Sequence, residues 1–200
     1  MQKIILASQS PRRKQLLEWA EVPFEVVANE TDESYPQDLT MGMIAIHIAR
    51  NKALAVSQGE TYKVYRNLIG LALPILAADT IVVLQNEIIG KPKDREDAVA
   101  ILSKLSGQLH RVITGVVILF GDKEIAFADT TEVVFHSLSK EQIEFYVDKY
   151  KPFDKAGAYA IQEWIGVVGI KSVNGDFYNV MGLPVSRVVR ELQKIADGGW

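Results

Sequence analysis

The chain has 200 residues, 48% hydrophobic and 24% charged, with a formal net charge of −3; this is ordinary globular composition for one large domain or two small lobes sharing a core. It contains no cysteine, which excludes a disulfide framework, a thiol nucleophile and a thiolate zinc site. The mildly acidic balance lacks the basic footprint of a duplex nucleic-acid binder, although a local cationic cluster can still meet an anionic substrate.

The apolar run at 4–7 is far too short for a signal peptide and has no cleavage-site pattern. The longest apolar segment, 68–78, falls short of a membrane span and contains Gly70 and Pro74. A cytoplasmic protein without membrane contact is expected. The chain opens with a strand at 3–7, then Ser10 as a helix cap and Pro11 at the first helical position. The helix at 11–19 offers Leu16, Leu17 and Trp19 as apolar contacts. A strand at 24–27 follows, then a polar, turn-like stretch at 29–38. Thr40 opens a helix to about residue 57, with Ile44, Ile48 and Leu54 near helical spacing. The stretch 58–73 shows no clear period and reads as a loop.

A buried strand at 75–84 precedes a turn at Asn86–Glu87 and a short strand at 88–89. Residues 94–105 form an amphipathic helix ended by Gly107. The long β-branched runs at 110–120 and 124–135 flank Gly121-Asp122, a hairpin signal. Ser139 caps a helix to about 147, with Gln142 completing a capping box. Residues 157–164 read as a loop, 167–173 and 177–180 as strands around Asn174-Gly175, and 184–196 as the last helix. Interleaved strands and helices with one hairpin predict an α/β fold with a mixed central sheet and flanking helices. There is no internal repeat or linker, so a single chain-wide unit over 1–200, with two lobes around a cleft, is expected.

Four groups of residues can carry chemistry. Ser8-Gln9-Ser10-Pro11-Arg12-Arg13-Lys14 follows a strand and starts a helix, where backbone N–H groups and the helix dipole favour an anion. Two arginines in the first turn oppose that dipole unless something negative sits between; a solvated basic patch fits the pattern equally well. The segment is not a P-loop, since the glycines and the Gly-Lys-Ser/Thr ending are missing. Asp79 lies among Ala77, Ala78, Ile81, Val82 and Val83, a costly place for a carboxylate unless it is paired, hydrogen-bonded or on a metal. Asp79 can therefore hold a divalent ion, take a proton from water, or simply hydrogen-bond at a strand end. Glu30, Asp32 and Glu33 add an acidic loop whose plain reading is a solvated surface. Lys91 in Gly90-Lys91-Pro92, and Lys52 inside a helix, are unremarkable alone. In the segment 155–162, small residues permit close approach of a ligand, and Gln162 can donate to and accept from a base edge; a tight packing loop is the plainer alternative. His47, His110 and His136 show no metal-ligand spacing and read as structural, and no Gly-x-Ser-x-Gly elbow is present.

Taken in order, these pieces resemble the Maf family of nucleotide pyrophosphatases. The resemblance rests on Ala7-Ser8-Gln9-Ser10-Pro11-Arg12-Arg13, Thr31-Asp32-Glu33, Ala49-Arg50-Asn51-Lys52-Ala53, Ala78-Asp79-Thr80 and Gly90-Lys91-Pro92. It continues through Leu105-Ser106-Gly107 with His110, Thr114-Gly115-Val116, Asp154-Lys155-Ala156-Gly157-Ala158-Tyr159 with Gln162, and Asn179-Val180-Met181-Gly182-Leu183-Pro184. It implies a fold similar to the inosine triphosphate pyrophosphatases and hydrolysis between the α- and β-phosphates with a divalent cation, Mg or Mn. Asp79 matches the proton acceptor, and Glu33 with Asp79 would hold the metal. Arg12, Thr80 and Gln162 match positions associated with substrate choice. Ser8, Arg13, Lys52 and Lys91 match phosphate-facing positions. The segment 155–162 looks like the subgroup acting on dTTP and UTP; in the 7-methyl-GTP subgroup Ser-Glu replaces the Ile-Gln end. Ala160 stands where a glycine is usual before Ile-Gln, and 58–74 is longer than the family pattern suggests. A nucleotide partner is implied and a homodimer is compatible with the sequence. The competing expectation is a non-hydrolytic nucleotide-binding regulator linked to cell division and septum formation.

Overall fold

Short apolar runs between turn residues become the strands, and segments with helical spacing pack around them. The computed structural model describes residues 2–69 and 72–198. The elements in chain order are β1 (Ile4–Leu6), α1 (Pro11–Trp19), β2 (Phe24–Val26), α2 (Met41–Gln58), α3 (Glu60–Ile69), β3 (Ile75–Leu84), β4 (Glu87–Ile89) and α4 (Arg95–Leu105). They continue with β5 (Leu109–Phe120), β6 (Lys123–Phe135), α5 (Lys140–Tyr150), α6 (Trp164–Gly169), β7 (Ile170–Asn174), α7 (Phe177–Met181) and α8 (Val185–Ala196). The strands form a seven-stranded sheet in the order β2-β1-β3-β5-β6-β7, with β4 paired to β3. β1 runs parallel to β2 and β3, whereas β4 is antiparallel to β3 and β7 to β6, so the sheet is mixed as expected.

The chain divides into two compact units: Met1–Asp79, Thr114–Asp129 and Gly182–Trp200 form the first, and Thr80–Ile113 with Thr130–Met181 the second. The core of the first gathers Ile5, Ala7, Val27, Ala49, Ala53, Val56, Leu73, Ile75, Ala77 and Val117. In the second, Ile89, Leu102, Leu105, Phe135, Tyr146, Val147 and Ile165 are buried.

Helix starts follow the capping chemistry read from the sequence. Thr40 accepts from the Met43 N–H, and Ser139 forms the full capping box with Gln142. Asp94, read from the sequence only as the first residue of its helix, also caps by accepting the Asp97 N–H. Gly107 has φ +70°, as the residue after a helix end requires.

Five expectations are corrected. Ser10 makes no side-chain cap; its own N–H donates to Ser8 Oγ at 3.3 Å. Trp19 is 59% exposed and so is no core contact. Glu60–Ile69 is a helix, not a loop. Tyr62 and Tyr65, three residues apart, supply its inner face, and the Tyr62 hydroxyl donates to the Leu73 carbonyl at 2.9 Å. Gly70 and Leu71 of that stretch lie outside the described residues. Val167–Gly169 belongs to α6 rather than to a strand. Gly166 lets that helix close on the preceding loop: a Cβ there would stand 1.7 Å from the Ile161 carbonyl oxygen. Finally, Phe177–Met181 is helical where a strand was expected: Asp176 Oδ1 accepts the Tyr178 N–H at 2.7 Å and starts a turn there.

Candidate active site

In the first unit, β1 delivers the chain to Ser8, and α1 starts three residues later at Pro11. Arg13 is buried, and its guanidinium is spent largely on its surroundings: Nη1 donates to Ser8 Oγ at 3.0 Å and Nε to the Gly182 carbonyl at 2.9 Å. Burial lowers its pKa from the ordinary value, Asp79 and Glu33 act against that, and Arg12 adds to it. The fork therefore clamps the β1–α1 turn while remaining in electrostatic range of both carboxylates.

Asp79 and Thr80 are adjacent, partly buried residues of β3, between four buried residues before them and three after. Asp79 is not solitary. Lys52, six residues from the end of α2, reaches Asp79 Oδ1 at 2.6 Å and Glu33 Oε1 at 2.8 Å. The Glu33 loop is shaped by its neighbour: Asp32 accepts the Ser34 N–H at 2.9 Å and the Ser34 hydroxyl at 2.6 Å. Those bonds hold the Asp32 carboxyl below the usual carboxylate range. Glu33 itself is half exposed, so its contact with Lys52 orients more than it stabilises. Asp79 and Glu33 thus place two hard oxygen donors around the Lys52 ammonium, and donors of this kind are also the ones a divalent ion prefers. Among the described residues no group of three or more His, Asp or Glu side chains forms a protein-only metal cage.

In the second unit, Lys91 is exposed directly after β4, and Gly90 accepts the Gly157 N–H at 3.1 Å. The turn that bears Lys91 is thus bonded to the loop that bears Gln162. Gly157 has φ +73°, and a Cβ there would press on the Val82 side chain of β3 at 3.0–3.3 Å, so any other residue would be strained. Gln162 is exposed, next to buried Ile161. Ala160, the departure from the family's glycine, is buried and has no left-handed φ, so the alanine fits.

The sequence grouping is therefore met in two parts. Ser8, Arg12, Arg13, Glu33, Lys52 and Asp79 gather within the first unit, while Thr80, Lys91 and Gln162 belong to the second. Two residues with no sequence signal also bear on the 155–163 loop: Tyr146, which bonds to Ala160 and Glu163, and Glu163 at the loop's own end.

His110 is structural, as its isolation in sequence suggested. It is buried against Phe135 and Tyr159 with edge-on rings, and its Nε2 shares a 2.8 Å hydrogen bond with the Tyr159 hydroxyl. Burial pushes the imidazole pKa down from 6.5 to about 4. The unfolded chain then takes up this proton first, so stability is full above pH 6.5 and is lost as the pH falls towards 4, by roughly 3 kcal/mol at most. His110→Gln keeps a partner for Tyr159 but cannot titrate. Urea unfolding of both proteins at stepped pH should show a shallower acid decline for the variant, and equal slopes would contradict the buried neutral imidazole.

The comparisons with known proteins agree along the chain. The family profile described as "Maf-like protein" matches residues 3–195. A dTTP/UTP pyrophosphatase of Cytophaga hutchinsonii is 49% identical over 192 residues, covering 96% of this chain and 84% of that protein. One from Parabacteroides distasonis is 46% identical, covering 96% of this chain and 95% of its own length. One from Porphyromonas gingivalis is 42% identical over 196 residues, with 98% and 95% covered.

Proposed function

The chain belongs to the Maf family, and from that premise we propose that it is a dTTP/UTP pyrophosphatase in which Asp79 accepts the proton of the attacking water. The observation that carries this reading is the partly buried carboxylate of Asp79 in a mostly buried strand, held by Lys52 together with Glu33. A binding-only regulator would need cationic side chains for the phosphates, but it has no use for two carboxylates converging on one lysine.

Water attacks the α-phosphorus, the α–β anhydride bond breaks, and the nucleoside monophosphate, pyrophosphate and one proton result. Asp79 takes that proton, and the 2.6 Å contact with Lys52 aims its carboxylate. Arg12, Arg13 and Lys91 match the charge of the triphosphate, and Ser8 holds Arg13 in place. Glu33 and Asp79 would hold a divalent cation, Mg or Mn, which supplies further neutralisation of phosphate oxygens when bound. Positioning and electrostatics supply most of the rate. Thr80, Gln162 and Arg12 set substrate choice. Gln162 can both donate to and accept from thymine or uracil, which show an N–H between two carbonyls. Cytosine would leave groups in such a pocket unpaired. The cytoplasm, where nucleoside triphosphates are made, is the setting that fits. No helix among the described residues is long and apolar enough to cross a membrane.

Steady-state kinetics over the common ribo- and deoxyribonucleoside triphosphates test the assignment. dTTP and UTP should have the highest kcat/KM. Lys91→Ala should lower kcat/KM for both in step without changing base preference, since phosphates are alike across substrates. A purine preference, or equal kcat/KM for CTP and UTP, would remove the pyrimidine assignment. A Lys91→Ala protein that switched base preference would move Lys91 into the base pocket.

A further inference from the structure

Gln162 carries a primary amide that can turn over, so it selects a base only if the backbone holds it at one angle. The second unit contains a device for this that uses neither phosphate-binding nor catalytic residues. Tyr146 of α5 is fully buried. Its hydroxyl accepts the Ala160 N–H at 3.1 Å and donates to Glu163 Oε2. One oxygen atom therefore bonds the loop on both sides of Ile161–Gln162. The Glu163 N–H also returns to the Ala160 carbonyl at 3.1 Å, closing a tight turn around the pair. The other oxygen of Glu163 lies 3.8 Å from Lys155 Nζ, which itself is 2.7 Å from Asp154. The carboxylate thus joins the start of the loop to its end.

This arrangement has a direction. Glu163 as a carboxylate offers only acceptors, so the Tyr146 O–H must point at it, and the hydroxyl lone pair is left for the Ala160 N–H. A phenylalanine would fill the same space and lose both bonds. The hydroxyl is therefore more than filling, since the ring alone already packs α5.

We propose that the Tyr146 hydroxyl, acting through Ala160 and Glu163, is a specificity-determining positioning group that fixes the angle at which Gln162 meets the base. This rests on the reading of Gln162 as the base-contacting side chain.

The test is the ratio of kcat/KM for UTP to that for CTP in the wild type, Tyr146→Phe, Glu163→Ala and Gln162→Ala, with thermal unfolding recorded for each. Tyr146→Phe should cut the ratio by roughly tenfold or more, with KM for UTP rising more than kcat falls. Glu163→Ala, at a partly exposed position, should shift the ratio in the same direction and decides the matter if Tyr146→Phe does not fold. In a Gln162→Ala background, adding Tyr146→Phe should change the ratio no further. If Gln162→Ala lowers the ratio but Tyr146→Phe and Glu163→Ala only lower the melting temperature, the positioning role is overturned and the base assignment stands. If Gln162→Ala leaves the ratio unchanged, the base assignment itself fails, and the proposal with it.

Discussion

Asp79→Asn is expected to keep the fold and to reduce turnover by roughly 10²–10⁴-fold, the range that a positioned general base supplies. The substitution preserves size and removes the charge and the proton-accepting oxygen. The buried run on either side of Asp79 sets the strand, so the asparagine has the same backbone to occupy. Lys52 loses one of its two anionic partners and keeps Glu33, and an amide oxygen can still accept from it. Circular dichroism and unfolding of the variant separate chemistry from folding. Near-normal turnover by a well-folded Asp79→Asn protein would contradict the role of Asp79 both as base and as an essential metal ligand.

The second large effect concerns the platform that carries Lys52. α2 crosses β5 so closely at Gly115 that an added Cβ would lie 2.2 Å from the Ala45 carbonyl carbon and 2.3 Å from the Ile46 nitrogen. Both are backbone atoms, so no side chain can swing aside; α2 or β5 must shift as a whole. Gly115→Ala should therefore destabilise by about 3 kcal/mol or more, the upper end for overpacking. In a chain of this length that corresponds to a melting temperature lower by roughly 10 °C. Activity should fall as well, because Lys52 rides on the displaced helix. A melting temperature within about a degree or two of the wild type, the size of a neutral surface substitution, would show that α2 has room that the packing denies.

Much of this architecture is legible in the sequence, and the gaps have physical causes. β3, the β5–β6 hairpin and the capped helices α2, α4 and α5 follow from apolar runs, turn residues and cap chemistry that act within a few positions. α3 escapes because its inner face is made by tyrosines, whose polar ends blur the hydrophobic period although Tyr62 is buried by its ring. α6 and α7 escape because they are single short turns rich in valine or aromatic residues, which suggest strands. Specific local contacts override propensity there: the Gly166 approach to Ile161 in one case, the Asp176 turn in the other.

The site was legible as residue types in family order rather than as a geometry. Nothing local pairs Lys52 with Asp79, 27 residues away, or with Glu33 on an irregular loop. Arg13 illustrates the opposite case. A first-turn arginine suggested phosphate, yet much of its guanidinium is engaged by Gly182 and Ser8, so its charge reaches the site from a fixed, buried position. Tyr146 gave no signal at all, since a buried tyrosine in an amphipathic helix looks like ordinary core until the bonds of its hydroxyl are seen.

The most direct measurement is product analysis after incubating the purified protein with UTP, with and without a divalent cation. UMP and pyrophosphate are expected in equal amounts, formed when Mg or Mn is present and strongly reduced when a chelator removes it. UDP with inorganic phosphate would place the cut at the wrong anhydride, and binding of UTP without any product would make the protein a nucleotide-binding regulator instead of an enzyme.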